Sequence, residues 1–258
     1  MPRYEEFQDK VAFVTGGGSG IGLETALAFA AQGARVAVAD RDEDKAEETV
    51  DIIGRAGGEA LALSVDVARD EAVRGAVDRT VEAFGRLDYA FNNAGITEPP
   101  AEDAERDEAS FDRLIAVNVR GMWSSARHEL RHMTKMGRGA IVNMSSIAGV
   151  TGAPGMSSYA MSKHAVLGFT RSLAIQYAQR GIRVNAVGPG AIATPMIDDF
   201  IEMAGGDPVV MDRIKAGHPM GRMGEPREVA EAVLWLCSDA ASFVTGHLLM
   251  IDGGFSAQ

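Results

Sequence analysis

Short runs of β-branched and apolar residues alternate along this chain with stretches of helical periodicity, and that alternation constrains the fold more than any other feature. The strand-like runs are VAFVT (11–15), RVAVA (35–39), ALALSV (60–65), LDYAFN (87–92), GAIVNMS (139–145), IRVNAV (182–187) and HLLMI (247–251). Helical stretches lie near 20–32, 42–56, 69–84, 110–136, 157–180 and 226–238. Several runs are apolar on both faces, as strands are when helices cover both sides of a parallel sheet. Repeated strand–helix units of this length predict a doubly wound α/β domain. The rhythm reaches the last strand without a linker or internal repeat, so one domain over 1–258 is expected. Two segments interrupt it: the acidic ITEPPAEDAERDEAS (96–110) and the stretch from about 195 to 225. Both read as loops, and loops at the carboxyl ends of strands are where open α/β sheets bind ligands.

Directly after the first run comes TGGGSGIG (15–22), followed by the apolar helical stretch LETALAFAA. Gly16, Gly20 and Gly22 leave room for a tight turn, a close phosphate and close helix–strand packing. The following helix would point its free N–H groups and positive dipole end at that phosphate. Placed between the first strand and first helix of a βαβ unit, the glycines predict a dinucleotide site. The second strand ends in Asp40, which can accept hydrogen bonds from adenosine ribose hydroxyls and would repel a 2′-phosphate. Asp40 therefore favours NAD over NADP. Arg41 pulls the other way, since an arginine can receive a 2′-phosphate.

In SSYAMSK (157–163), Tyr159 and Lys163 stand four apart and share a helix face. A cation beside a phenol favours its ionised form and lowers its pKa from about 10. That would make Tyr159 a proton donor and acceptor near neutral pH.

The bulk numbers limit the partners. A formal net charge of −11 argues against nucleic acid and against an anionic membrane surface. Cys237 is the only cysteine, so no intrachain disulfide is possible. With a charged opening, MPRYEEFQDK, and no apolar run of about 18 residues, the expectation is a cytoplasmic protein without a membrane span. His128 and His132 share a helix face but lack a partner at metal-ligand spacing, so no metal is expected.

Together these motifs resemble the short-chain dehydrogenase/reductase family over nearly the whole chain. The resemblance rests on TGGGSGIG (15–22), Asp40, Asp66-Val67, NNAG (92–95), Asn118 in VNVRG, Ser146 in NMSSIAG, YAMSK (159–163) and GPGAIAT (188–194). It implies a Rossmann-like fold with a seven-stranded parallel sheet, and hydride transfer between a nicotinamide and an alcohol or carbonyl. It gives Tyr159 the acid/base role and has Lys163 lower its pKa and hold the nicotinamide ribose. Ser146 would hydrogen-bond the substrate oxygen, with Ser145 a structural neighbour, and Asn118 would hold a water in a proton relay from Lys163. Ser19 and Ile21 would lie in the phosphate turn, and Asp66 and Val67 along the adenine. Asn92 and Gly95 would sit beneath the adenosine. Pro189 and Gly190 belong to the loop in which Ile192 and Thr194 would hold the nicotinamide carboxamide. The family also implies a homo-oligomer, tetramer or dimer, joined through the long helices near 110–136 and 157–180, where Met122, Trp123 or Phe169 would supply apolar contact.

The chemistry stands without the family, because hydride leaves an alcohol carbon readily only as the hydroxyl proton is removed. Lys163 would favour phenolate at Tyr159, and Ser146 adds a fixed dipole where oxygen charge changes. Taken singly, Ser146 reads as a loop hydroxyl and Asn118 as a helix-surface amide. The acidic stretch 98–108 reads as a solvated loop. Met196, Met203, Met211, Met220 and Met223 cluster in the segment that covers substrate in the family. They suggest an apolar, cyclic alcohol rather than a sugar, although packing of a small helix pair explains them equally. Two other readings compete: an NADPH-dependent 3-oxoacyl thioester reductase, opposed by Asp40, and a non-catalytic cofactor-sensing or scaffold protein, opposed by four occupied catalytic positions.

Overall fold

The computed structural model describes residues 4–203, 205 and 208–258; the first three residues of the charged opening, and 204, 206 and 207 within the segment 195–225, lie outside that description. Strand β1 (Val11–Thr15) is buried along its whole length and is an interior strand of a seven-stranded sheet. With β2 (Arg35–Asp40), β3 (Ala60–Ser64), β4 (Tyr89–Asn92), β5 (Gly139–Met144), β6 (Ile182–Pro189) and β7 (Leu248–Ile251), it gives the order β3-β2-β1-β4-β5-β6-β7. Every neighbouring pair is parallel. Helices therefore cover both faces, since parallel strands need crossovers.

Alternation along β1 divides the core. Ala12 and Val14 join one apolar cluster with Ala26 and Phe29 of α1 (Gly20–Ala31), Ile53 of α2 (Glu43–Arg55) and Val233 of α9 (Pro226–Cys237). Val11 and Phe13 join the other, with Val77 of α3 (Asp70–Phe84), Leu130 and Met133 of α5 (Met122–Met136) and Leu173 of α6 (Ser157–Tyr177). Side chains such as Phe13 and Phe91 have no exposed surface, and burying each contributes roughly 1.5–3 kcal/mol. Local signals set the helix ends. Asp42 caps α2 by accepting from the Lys45 amide, α3 ends at left-handed Gly85, and Pro226 starts α9 behind a Glu225–Glu228 capping box.

Two elements differ from the sequence expectation. The long helix near 110–136 is α4 (Glu108–Ile115) and α5 joined by a π-helical turn, Ala116–Gly121. Such turns recur at functional sites because the extra residue re-aims a side chain; here that turn carries Asn118. The segment 195–225 is not simply loop: it holds α7 (Pro195–Met203) and α8 (Pro208–Ala216). Each begins with proline, which suits a helix's first position.

In this strand order the chain runs one way from β1 to β2 and β3, and the other way from β4 onward. The switch lies between β1 and β4, whose ends are stitched together. The Thr15 hydroxyl accepts from the amides of Asn93 (3.0 Å) and Ala94 (3.1 Å), and Asn93 Nδ2 donates to the Thr15 and Gly16 carbonyls. A crevice opens above this point, as expected of such sheets.

Candidate active site

One end of the crevice is built from backbone. Gly16 and Gly20 have φ of +63° and +53°, which only glycine adopts readily, and a Cβ at Gly22 would overlap the Gly16 carbonyl oxygen. Ser19 precedes the first turn of α1. Asp40 is anchored through both carboxylate oxygens, which accept from the amides of Gly18 (2.9 Å) and Asp42 (3.0 Å). A cavity of about 260 Å³ here is lined by Gly16, Ser19, Gly20, Ile21, Asp40, Arg41, Asp66, Val67, Gly95 and Thr194. A turn that admits no side chain, a helix N-terminus above it and a fixed carboxylate at the rim fit a nicotinamide dinucleotide.

The reactive groups lie deeper. Tyr159 and Lys163 share one face of α6, with Lys163 Nζ 5.5 Å from the phenol ring centre. Lys163 is 3% exposed; its ammonium donates to the Met144 carbonyl (3.2 Å), and burial pushes its pKa down to about 8. Burial pushes the Tyr159 phenol up while the Ser146 hydroxyl opposes it, so the expected lowering by Lys163 is not found. Ser146 opens a 3₁₀ turn, Ile147–Gly149, and its oxygen accepts from the Ala148 amide (3.2 Å). Ser145 is buried and donates to the Lys163 carbonyl (3.0 Å), tying α6 to β5.

Asn118 is fully buried rather than a surface amide. Its amide exchanges two hydrogen bonds with the Ile96 backbone (2.8 and 2.9 Å) and donates to Ser162 Oγ (3.2 Å). A side chain at Gly95 would stand 3.3 Å from Asn118 Oδ1 and 3.5 Å from Lys163 Nζ, so Gly95 keeps the space between them open.

The other end of the crevice is an apolar cavity of about 430 Å³, reaching Ser146, Tyr159 and Lys163 and walled by Ile96, Ile147, Pro154, Met156, Ile197, Phe200 and Phe255. Pro189, Gly190 and Ile192 border it, and Ile21, Asn93, Gly95, Ile96, Thr194 and Met196 line both cavities. His218 is 5% exposed, with Nε2 accepting from the Ala191 amide (3.1 Å), Nδ1 against the Ile214 carbonyl (2.7 Å) and the Phe255 ring 5.3 Å away. It joins α8 to the loop after β6.

Several expectations need correction. Asn92 does not reach the crevice; it is buried in the sheet, where Nδ2 donates to Glu129 Oε2 and Asn143 Oδ1 (both 3.1 Å), and Asn93 lines the cavities instead. Of the five methionines in 196–223, only Met196 lines the apolar cavity; Met203 and Met220 face outward. Met122 is buried, so it offers no exposed contact, whereas Trp123 is 43% exposed. The acidic stretch 98–108 is not wholly solvated, because Glu98 is 2% exposed and pairs with Arg106 (2.7 Å). His128 and His132 bond Asp70 and Asp78, and no group of residues able to hold a metal occurs among the described residues. Nor is any helix among them long and apolar enough to cross a membrane. Phe200, Phe255, His218 and Glu98 were missed, since each is placed by the tertiary fold rather than by a local motif.

Residues 16–256 match the family model described as "Enoyl-(Acyl carrier protein) reductase". The chain is 42% identical over 253 residues to a cyclohexanol dehydrogenase of Acinetobacter sp., covering 98% of this chain and 97% of the relative. It is also 42% identical to a cyclopentanol dehydrogenase of Comamonas sp., with 97% and 98% covered. Among solved structures, levodione reductase superposes with a TM-score of 0.95 at 36% identity (97% and 99% covered). NAD+-bound xylitol dehydrogenase gives 0.93 at 36% (96% and 100%), and ElxO with NADP bound gives 0.89 at 35% (96% and 99%). The chain belongs to the short-chain dehydrogenase/reductase family. It is an oxidoreductase of the alcohol dehydrogenase kind, working with a nicotinamide cofactor on a secondary alcohol or its ketone.

Proposed function

We propose that this protein is an NAD-dependent dehydrogenase of cyclic, apolar secondary alcohols, with Tyr159 as the acid/base. The observation that carries the reading is the apolar cavity, which reaches Ser146, Tyr159 and Lys163 and runs into the dinucleotide cavity through shared walls. Gly16, Ser19, Gly20, Ile21 and Gly22 would hold the pyrophosphate, Asp40 the adenosine ribose, and Asp66 and Val67 the adenine. Lys163 would hold the nicotinamide ribose, and the loop through Pro189, Gly190, Ile192 and Thr194 the carboxamide. Bound there, the cofactor supplies the hydride acceptor for oxidation and the donor for reduction.

The residues of the chain handle the proton. Tyr159 accepts the hydroxyl proton as the alcohol is oxidised and returns it when the ketone is reduced. Ser146 hydrogen-bonds the substrate oxygen as its charge changes, and Lys163 supplies the cation that favours phenolate. Oxidation needs the deprotonated phenol and reduction the protonated one, so oxidation quickens and reduction slows as pH rises toward the phenol's own pKa. Asn118 would hold a water that passes the proton outward from Lys163.

Asp40 supports NAD, because its carboxylate would repel a 2′-phosphate. Names of relatives support a ring-shaped substrate: cyclohexanol and cyclopentanol dehydrogenases match over nearly the full chain. The same reading includes a homotetramer or dimer in the cytoplasm, with α5 and α6 at the contact, where Trp123, Met161 and Ile175 are exposed.

Titration with NADH and NADPH, followed by nicotinamide fluorescence, tests the cofactor assignment. Tighter NADH binding is expected. Tighter NADPH binding would mean that Arg41 outweighs Asp40, and would favour a biosynthetic reductase of oxoacyl thioesters. Binding of neither would favour a non-enzymatic role.

A further inference from the structure

We infer that Glu98 and Arg106 are positioning residues that brace both the amino end of the catalytic helix and the loop walling the alcohol cavity. This rests on the function proposed above. Glu98 follows Ile96 and Thr97, which line the apolar cavity. Its carboxylate is divided between two jobs: Oε1 accepts from the Tyr159 amide (3.1 Å), and Oε2 pairs with Arg106 Nη1 (2.7 Å). Tyr159 is the third residue of α6, where backbone amides have no partner within the helix. A carboxylate there also suits the positive end of the helix dipole.

Arg106 turns the pair into a strut. Its Nη2 donates to the Gly155 carbonyl (2.8 Å), which also accepts from the Ala101 amide (3.0 Å). Gly155 has φ +75° and lies between Pro154 and Met156, two walls of the cavity. The Ser157 hydroxyl bonds Asp103 as well. Four links thus join segment 98–106 to residues 155–159. Glu98 and Arg106 side chains are 2% and 8% exposed, so their attraction is poorly screened. None of these contacts touches Gly16–Gly22 or Asp40, so the strut serves the alcohol end of the crevice and leaves the dinucleotide end alone.

The test compares Glu98→Ala, Glu98→Gln, Arg106→Met and the charge-free double variant Glu98→Gln/Arg106→Met with the wild type. Three quantities are read: kcat and KM for cyclohexanol with NAD, the NADH dissociation constant, and amide exchange across residues 156–162. Glu98→Ala should speed exchange at Tyr159 and lower kcat/KM roughly 100-fold, mainly through kcat, because a shift of about 1 Å at a reacting group costs on that order. Glu98→Gln keeps an acceptor for the Tyr159 amide and should recover most of kcat. Arg106→Met should act mainly on KM, raising it about tenfold through the 151–156 loop. NADH affinity should stay within about twofold throughout, since the dinucleotide contacts are untouched.

Unchanged exchange with unchanged kcat/KM would overturn the inference. So would a parallel loss of NADH affinity, which marks general loosening of the fold. If either single variant fails to fold, the double variant decides: it buries no lone charge, and wild-type kcat/KM in it would also overturn the inference. A wild type inactive on cyclohexanol would break the functional proposal alone, because exchange at Tyr159 would still report on the strut.

Discussion

The two ends of the crevice are built by different means. The dinucleotide end is made of a turn where side chains cannot fit and a carboxylate held by two amides, all within the first βαβ unit. The alcohol end is assembled from side chains far apart in sequence: Ile96, Pro154, Met156, Phe200 and Phe255. One end fixes a cofactor through backbone geometry, which tolerates little change. The other selects a substrate by shape and apolarity, which can be altered one side chain at a time. Tyr159 and Lys163 lie where the two meet.

The most severe way to break this division is at the junction. Tyr159→Phe removes one oxygen and should lower turnover of cyclohexanol about 10³-fold, within the range for loss of an acid/base, while NADH titration gives wild-type affinity. Parallel loss of NADH binding would show that the junction is not separable from the cofactor end. Phe200→Ala sharpens the contrast on the alcohol side. It should raise KM for cyclohexanol about tenfold, on the order of 1–3 kcal/mol for a trimmed apolar pocket, and leave the NADH dissociation constant alone. A KM unchanged by that trimming would mean α7 does not wall the bound substrate.

Much of the first end was legible in the sequence because its determinants are neighbours. Gly16, Gly20 and Gly22 lie within one turn, Asp40 closes the next strand, and Tyr159 and Lys163 are one helical turn apart. The parallel sheet was legible for a similar reason: strands buried on both faces give continuous apolar runs. The second end was not. Phe255 reaches the cavity from the far end of the chain, and Glu98 finds Arg106 and the Tyr159 amide only after folding. Asn92 looked like a cofactor contact because it sits in NNAG, but as the last residue of β4 its side chain points into the sheet between Glu129 and Asn143. The run around Asn118 gave no sign of a π-helical turn, since that turn is tied to Ile96 across the fold.

That buried cluster beneath the crevice gives the smallest and most easily measured effect. Glu129 has no exposed surface, and burial pushes its carboxyl up to about 8 from an ordinary 4.5. The folded protein therefore keeps a proton that the unfolded chain releases between those values. Its contribution to stability is complete below about pH 4.5 and is lost as pH rises through about 8. Glu129→Gln stays neutral at every pH, so the wild type should lose a few degrees of Tm against it over that window. A wild-type Tm that stays level with the variant's, or gains on it, as pH rises would show that Glu129 is ionised in the native state.

Substrate preference bears most directly on the whole account: kcat/KM with NAD for cyclohexanol against xylitol. An apolar cavity beside Ser146 and Tyr159 should favour cyclohexanol by at least about tenfold, since each polyol hydroxyl would be buried there without a partner. A preference for xylitol of similar size would contradict the account, and would mean that the apolar walls do not enclose the alcohol that Tyr159 deprotonates.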